Sequence, residues 1–449
     1  MPRLLPFRGL RPDPAVALLR DVVCPPYDVI SGRQRAELIA RSPYNVVRVE
    51  LPAGDYAGAA ALLATWERDG ALRRDAEPAL YAYRMSYPDP TGKERETLGV
   101  MGALVLEAPG HGILPHEQTT PKDKTDRLEL IRATRTNTSP IWCLCSEPGL
   151  SGLLGTVGPS APETGAVASA LDDDGVTHEI WPLYDPAVHQ AVARLTSAAP
   201  LLVADGHHRY ETALAYMAER SSSTKTGEGV GVSNAGDAVR PGTGDALEPG
   251  TGDRTRTAPE GPGRATSLLR GEAPAARSDA LGPAAVMSLV VELSDQYLQV
   301  MAIHRTVSDL PTGADPLNAF RDEFSLTTAA STGPGLLDEM TAAGAIAVVT
   351  PEGAFLATPR PGSLSATFDL DSSMVDAALA GLPPHQLHYE HDLVGALAGV
   401  REGHLNAAVL CRPATVAQIA ATARGGARMP PKTTFFWPKP RTGMVFRDM

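Results

Sequence analysis

Cysteine is scarce in this chain, with 4 in 449 residues, and the four are scattered. Cys24, Cys143, Cys145 and Cys411 form neither a disulfide framework nor a zinc-type spacing, so a reducing, cytoplasmic setting is expected. No apolar run approaches the roughly 18 residues of a membrane span, and the N-terminus has no apolar core of the secretory kind. Positive charge is also short. Lys and Arg number 40 against 52 Asp and Glu, a net charge of -12, which disfavours nucleic acid as a partner. Several chemistry-bearing motifs are missing: a Walker-type phosphate loop, a Gly-x-Gly-x-x-Gly after a strand, and a Gly-x-Ser-x-Gly nucleophile elbow. One stretch, 221–283, is itself poor in large apolar residues and rich in Ser, Thr, Gly, Ala and Pro. Such a composition cannot bury enough to offset the entropy of ordering, so it is expected to be a disordered surface insertion.

Elsewhere the hydrophobic pattern alternates between strand and helix. Residues 33–41, 55–69, 127–135, 165–171 and 186–198 read as helices, and 45–51, 78–87, 96–107, 141–145 and 177–184 as strands. The pair 78–87 and 96–107 makes a hairpin across Thr91-Gly92. Beyond 283 come strands at 284–295, 299–303 and 407–411 and a hairpin of 345–349 with 354–358. Helices are expected at 316–324, 335–343, 373–380, 393–398 and 416–424. This order signals an α/β or α+β protein with a mixed-sheet core. Its expected parts are an N-terminal α/β region (1–110), a catalytic part (111–220), the insertion (221–283) and a C-terminal α/β part (284–449) that completes the site.

The most informative stretch is Asp205-Gly206-His207-His208-Arg209, between a buried strand at 201–204 and a helix with Tyr210, Ala213, Leu214 and Met217 on one face. A helix N-terminus carries unpaired N–H groups and partial positive charge, and Arg209 adds a planar cationic fork. That combination is suited to an anion such as phosphate. A second stretch, Pro115-His116-Glu117-Gln118, leads into the basic segment holding Lys122, Lys124 and Arg127. It reads as an anion pocket with Glu117 at its entrance. A third, Pro431-Lys432-Thr433-Thr434, offers a cation and two hydroxyls between prolines that hold the chain extended. Cys24-Pro25-Pro26-Tyr27-Asp28 reads as a rigid surface turn rather than a pocket wall. His385, His388 and His391 recur every third residue and would share a face on a helix, a weak metal-site pattern.

These three motifs stand in the same order as in the free L-serine kinase family of archaea, which the chain resembles, and through it the ParB and sulfiredoxin superfamily. The whole chain also resembles a bacterial conserved family of unknown function. The resemblance implies a ParB/sulfiredoxin-like core and a transfer of phosphoryl from ATP or ADP to the hydroxyl of free L-serine. It implies Glu117 as general base and Asp205 beside the transferred phosphate and its Mg2+. Gly206, His207, His208, Arg209, Lys432, Thr433 and Thr434 are then phosphate and nucleotide contacts, with His116, Lys122, Lys124 and Arg127 as further candidates. The partners implied are a nucleotide and an amino acid, with no nucleic acid and no membrane. The competing reading is a ParB-like nucleotide switch without kinase activity. A sulfiredoxin-like repair enzyme would need a cysteine in the turn where this chain has His207 and His208.

Overall fold

The structure is a computed structural model and describes residues 1–89, 92–108, 110–115, 122–158, 168–227, 282–425 and 429–449. Its core is a mixed sheet of nine strands. From one edge these run Ile113–Pro115, Leu201–Asp205, Ile141–Cys145, Ala285–Glu292, Glu94–Val105, Leu80–Pro88, Thr177–Leu183 and Ala168–Leu171, with Leu4–Leu5 also paired to Glu94–Val105. Two pairings are parallel, Leu201–Asp205 with Ile113–Pro115 and Ala285–Glu292 with Ile141–Cys145; the others are antiparallel. The protein is thus α/β with a mixed sheet. The sheet joins chain from before and beyond the insertion, since the strand Ala285–Glu292 lies at its centre.

The strands are buried on both faces, and their side chains divide with a period of two. Tyr81, Tyr83, Met85 and Tyr87 join one apolar cluster, while Leu80 and Ala82 join the other. Helices Leu150–Val157 and Pro186–Ala198 cover the second face through Leu150, Leu154 and Val192. The helix Pro186–Ala198 begins where the sequence predicts, because Asp185 accepts from the Ala187 N–H at 2.8 Å and Pro186 sits in the first turn. The C-terminal tail covers the first face through Met429, Phe436, Met444 and Val445.

A second sheet is wholly antiparallel, in the order Phe324–Thr328, Gly353–Pro359, Ile346–Thr350, Ala407–Leu410, His304–Ser308 and Gln386–Glu390. Helix Asp371–Leu379 packs Met374 and Val375 on one of its faces, and helix Leu393–Arg401 packs Ala396 and Val400 on the other. The tail then ties both sheets together. Arg305, fully buried, donates to the Lys432 carbonyl at 2.8 Å and pairs with Asp376 at 3.0 Å. Phe435–Trp437 pairs with Gln299–Met301, and Arg447–Asp448 with Thr136–Asn137.

Several expectations need correction. Residues 45–51 hold no strand; Val47–Glu50 is a helical turn, with Asn45 Oδ1 accepting from the Val47 N–H at 3.0 Å. In place of a helix at 165–171, Ala168–Leu171 is a strand; residues 159–167 lie outside the described ones. The helix after the Asp-Gly-His-His-Arg turn runs from His207 to Gly227, so the ordered chain reaches past Arg220; residues 228–281 lie outside the described ones. Of 316–324 only Asn318–Arg321 is helical, and Phe324 already begins a strand. The three histidines share no helix, because Gln386–Glu390 is a strand that carries His388. Among the described residues no cluster of three or more metal-ligating side chains occurs, and no helix is long and apolar enough to cross a membrane.

Candidate functional site

The strand Leu201–Asp205 ends at the turn that the sequence singles out. Its pairing with Ile141–Cys145 shifts register between Val203 and Asp205, a bulge of the kind that re-aims a side chain. Gly206 follows with a φ of 88°, the left-handed region that glycine enters without strain. A Cβ there would also lie 2.9 Å from Arg209 Nη2, because the Arg209 side chain folds back across the glycine. His207 then opens a helix of 21 residues, and the Tyr210 N–H closes its first turn on the Gly206 carbonyl at 3.0 Å.

Three charges converge on the strand end. Arg209 Nη2 donates to Asp205 Oδ2 at 2.8 Å while its Nη1 donates to the Pro140 carbonyl at 2.5 Å. Lys439 Nζ donates to Asp205 Oδ1 at 2.5 Å and lies 4.0 Å from Asp28. The side chains of Lys439 and Asp205 are only 11% and 19% exposed, so this is a buried pair. Burial alone would raise the Asp205 pKa. Lys439 first, then Arg209, with His207 contributing, outweigh it and hold the carboxyl well below its usual range. In return, Asp205 and Asp28 overcome the burial of Lys439 and raise its pKa. Asp205 is therefore an anion and Lys439 a cation at neutral pH.

Lys439 is a residue that sequence reasoning missed. It faces a cavity of about 500 Å³ with Pro25, Pro26, Phe435, Trp437 and Arg441. Pro25 and Pro26 are thus buried in a pocket wall, which corrects the reading of the segment as a surface turn, while Asp28 after them is exposed. His391 stacks on Phe435 with ring centroids 4.6 Å apart, and Lys439 Nζ lies 5.1 Å from the Phe435 ring centre. Arg441 was missed too. It pairs with Asp172 and, at 2.8 Å, with Asp174. Asp172 accepts from His178 Nε2 at 2.8 Å, and Nδ1 of the same ring takes the Tyr83 hydroxyl at 2.7 Å. Burial lowers the His178 pKa, so the ring is neutral, with its proton on Nε2 toward the carboxylate. This chain of contacts fixes the tail where it carries Lys439.

The other predicted site residues are distributed as follows. Gly206, His207, His208 and Arg209 stand together at the helix start. Arg127 is buried; it pairs with Glu50 at 3.5 Å and with Asp126, and lies 4.4 Å from the Tyr27 ring centre. Burial pushes the Tyr27 phenol up to about 12, against the pull of Arg209. Thr433 is 6% exposed; its hydroxyl meets Ser372 Oγ at 2.9 Å, on the helix Asp371–Leu379. Thr434 is buried beside it, and Lys432 has a φ of 58° with its carbonyl on Arg305. His116 and Glu117 lie outside the described residues, as do the side chains of Lys122 and Lys124. Magnesium fits Asp205 poorly, since each carboxylate oxygen already accepts from a cation and Mg2+ prefers free oxygen ligands.

Fold and site together define an α/β protein whose strand-to-helix turn holds a buried carboxylate between two cations, one of which, Lys439, lines a cavity. The chain belongs to the family described as protein of unknown function (DUF1015), which matches residues 4–234. No curated protein matches it. Solved structures similar to it include a conserved hypothetical protein from Pyrococcus furiosus, at 12% identity and a TM-score of 0.34, over 73% of this chain and 88% of that one. A free serine kinase in complex with AMP aligns at 11% identity and 0.33, over 74% and 89%. SbnI with a C-terminal truncation, from Staphylococcus aureus, aligns at 11% and 0.35, over 77% and 87%. Likeness at this distance carries no chemistry over to this chain.

Proposed function

We propose that the protein is a nucleotide-dependent phosphotransferase that phosphorylates the hydroxyl of a free amino acid, with L-serine the best-supported acceptor. The observation that carries this reading is the convergence of Lys439, Arg209 and the N-terminus of helix His207–Gly227 on one strand end, with Lys439 also lining a 500 Å³ cavity. Phosphoryl transfer asks for in-line positioning and neutralisation of charge on the phosphate oxygens more than for covalent chemistry. A helix N-terminus, a guanidinium and an ammonium supply that neutralisation. Asp205 holds both cations in place. Glu117, from the motif shared with the serine kinase family, takes the acceptor hydroxyl's proton, and His207 and His208 line the phosphate end. ATP or ADP is the donor. The reading needs no step from a metal held by Asp205. The test is to incubate the protein with ATP or ADP, Mg2+ and a panel of amino acids and to look for phosphorylated product by mass spectrometry. Product with serine supports the reading. Bound nucleotide with no phosphorylated acceptor sinks it in favour of a ParB-like switch.

A further inference from the structure

The cavity of about 500 Å³ that Lys439 lines is not an ion site in itself, because the charges in its wall already have partners. Arg441 donates to Asp172 through Nε and to Asp174 through Nη2, both at 2.8 Å. Lys439 donates to Asp205 at 2.5 Å, and Asp89 Oδ1 accepts from the Lys93 N–H at 3.1 Å. Gln299 offers no acceptor here, since its Oε1 is shut off from solvent. The wall is otherwise largely apolar and aromatic, with Val176, Met301, Phe435 and Trp437 facing the prolines Pro25 and Pro26. Phe435 is already covered by the His391 ring, 4.6 Å away between centroids. Trp437 differs from every other indole of the chain. Trp66, Trp142 and Trp181 are 1–2% exposed, whereas Trp437 is half-buried and lines the cavity. Tyr87 braces it edge to face, with centroids 4.8 Å apart and planes at 83°. A braced, partly open indole in an apolar cleft of this size is a stacking platform for a flat ring. Lys439 connects that cleft to the strand end at Asp205, where the helix from His207 begins.

We propose that the nucleobase of a nucleotide lies in this cavity, stacked on Trp437, with its phosphates running past Lys439 to the turn. The placement of the phosphates rests on the phosphotransferase reading. Tryptophan emission and calorimetry of the full chain test the base site, with AMP and ribose 5-phosphate as probes. The two share a sugar and a phosphate, and only AMP has a base. AMP should quench the emission, because Trp437 is the one indole within its reach. Ribose 5-phosphate should leave the emission unchanged and bind about ten-fold or more weakly, the scale of one stacked base. Trp437→Leu should weaken AMP by a similar factor and leave ribose 5-phosphate unaffected. Trp437→Phe keeps a flat ring, so it should bind AMP near the wild-type affinity and lose the quench; it carries the test should the leucine variant fail to fold. Equal affinity for the two probes, AMP binding without a quench, or a quench that persists in Trp437→Phe would each overturn the assignment. A parallel assay with ATP, Mg2+ and amino acids separates the two readings. Phosphoserine made by a protein whose emission AMP does not change would overturn the base site alone. The expected quench and affinities without any phosphorylated amino acid would overturn the phosphotransferase reading and leave the base site standing.

Discussion

Lys439→Met is the most informative single change. It removes one of the two cations that hold Asp205 and leaves the carboxylate buried with Arg209 alone. Removing one partner of a buried pair costs about 3–5 kcal/mol, because the remaining charge is uncompensated. Arg209 still serves Oδ2 at 2.8 Å, so the lower end, about 3 kcal/mol, is expected at neutral pH. The pH dependence follows from the depressed Asp205 pKa. A carboxyl whose folded pKa lies below its unfolded value of 3.8 contributes stability that is full above that value. That stability is lost as pH falls toward the folded pKa. In the variant the Asp205 pKa rises, protonation relieves the stranded charge, and the variant loses less in acid than the wild type does. The gap between the two should therefore narrow below about pH 4. Equilibrium urea denaturation of both proteins, at neutral pH and at about pH 3, measures it. Combining Lys439→Met with Asp205→Asn should recover part of the loss through a coupling of about 0.5–3 kcal/mol. A neutral-pH difference under about 1 kcal/mol, the scale of exposed pairs, or one that stays constant into acid would refute the buried-pair argument.

Arg209→Ala should weaken nucleotide binding by about 1.5–3 kcal/mol, read by calorimetry on protein whose melting temperature shows it folded. Normal affinity would put the phosphates elsewhere. Glu117→Gln should leave nucleotide affinity near the wild-type value and cut turnover by about 10²–10⁴-fold, with kcat and kcat/KM falling together. Weak nucleotide binding with normal turnover at saturation would make Glu117 a ligand contact and not the base. Deleting 228–281, the part of the Ser, Thr, Gly and Pro-rich stretch beyond helix His207–Gly227, should leave melting temperature and activity unchanged. A large drop in either would show that the segment contributes to the fold.

Much of the architecture was readable because local signals agreed with the tertiary fold. The hairpin of Leu80–Pro88 with Glu94–Val105 and the helices Pro186–Ala198 and Val416–Arg424 carry their own periodicity and caps. The misreadings have physical causes. Val46, Val47 and Val49 are β-branched and suggest a strand. Their segment turns helical because Asn45 caps it and Glu50 is drawn into a buried site, where the Thr138 hydroxyl meets it at 2.5 Å. Ala168–Leu171 was legible as a strand from its turn. Asp172 Oδ1 accepts from the Asp174 and Val176 N–H groups, both at 2.9 Å, and Gly175 takes a φ of 79°, the Asp-Gly chemistry of a hairpin. The strand His304–Ser308 gave no such signal, since its Arg305 is charged and is buried by partners distant in sequence, Asp376, the Tyr389 ring and the tail's carbonyls.

The site shows the same division between local and distant information. The turn from Asp205 to Arg209 is a local object, and residue types a few positions apart suffice to find it. Its second cation is 234 positions away, and no periodicity links Lys439 to Asp205. What marks Lys439 in the sequence is its setting, a lone lysine between Pro438 and Pro440, the same kind of setting that drew attention to Lys432. The two lysines differ in what the fold does with the flanking chain. At Lys432 the backbone carbonyl is taken by Arg305 and the next hydroxyl by Ser372, which anchors that segment on the second sheet. At Lys439 the flanking anchors are Trp437, paired with Gln299, and Arg441, held by Asp172 and Asp174, so the side chain between them is delivered to the first sheet. The tail thus completes a buried charge cluster that the turn begins. The 231 residues 4–234 that match the family contain Asp205 and Arg209 but not Lys439, so the second cation on the Asp205 carboxylate comes from outside the matched segment.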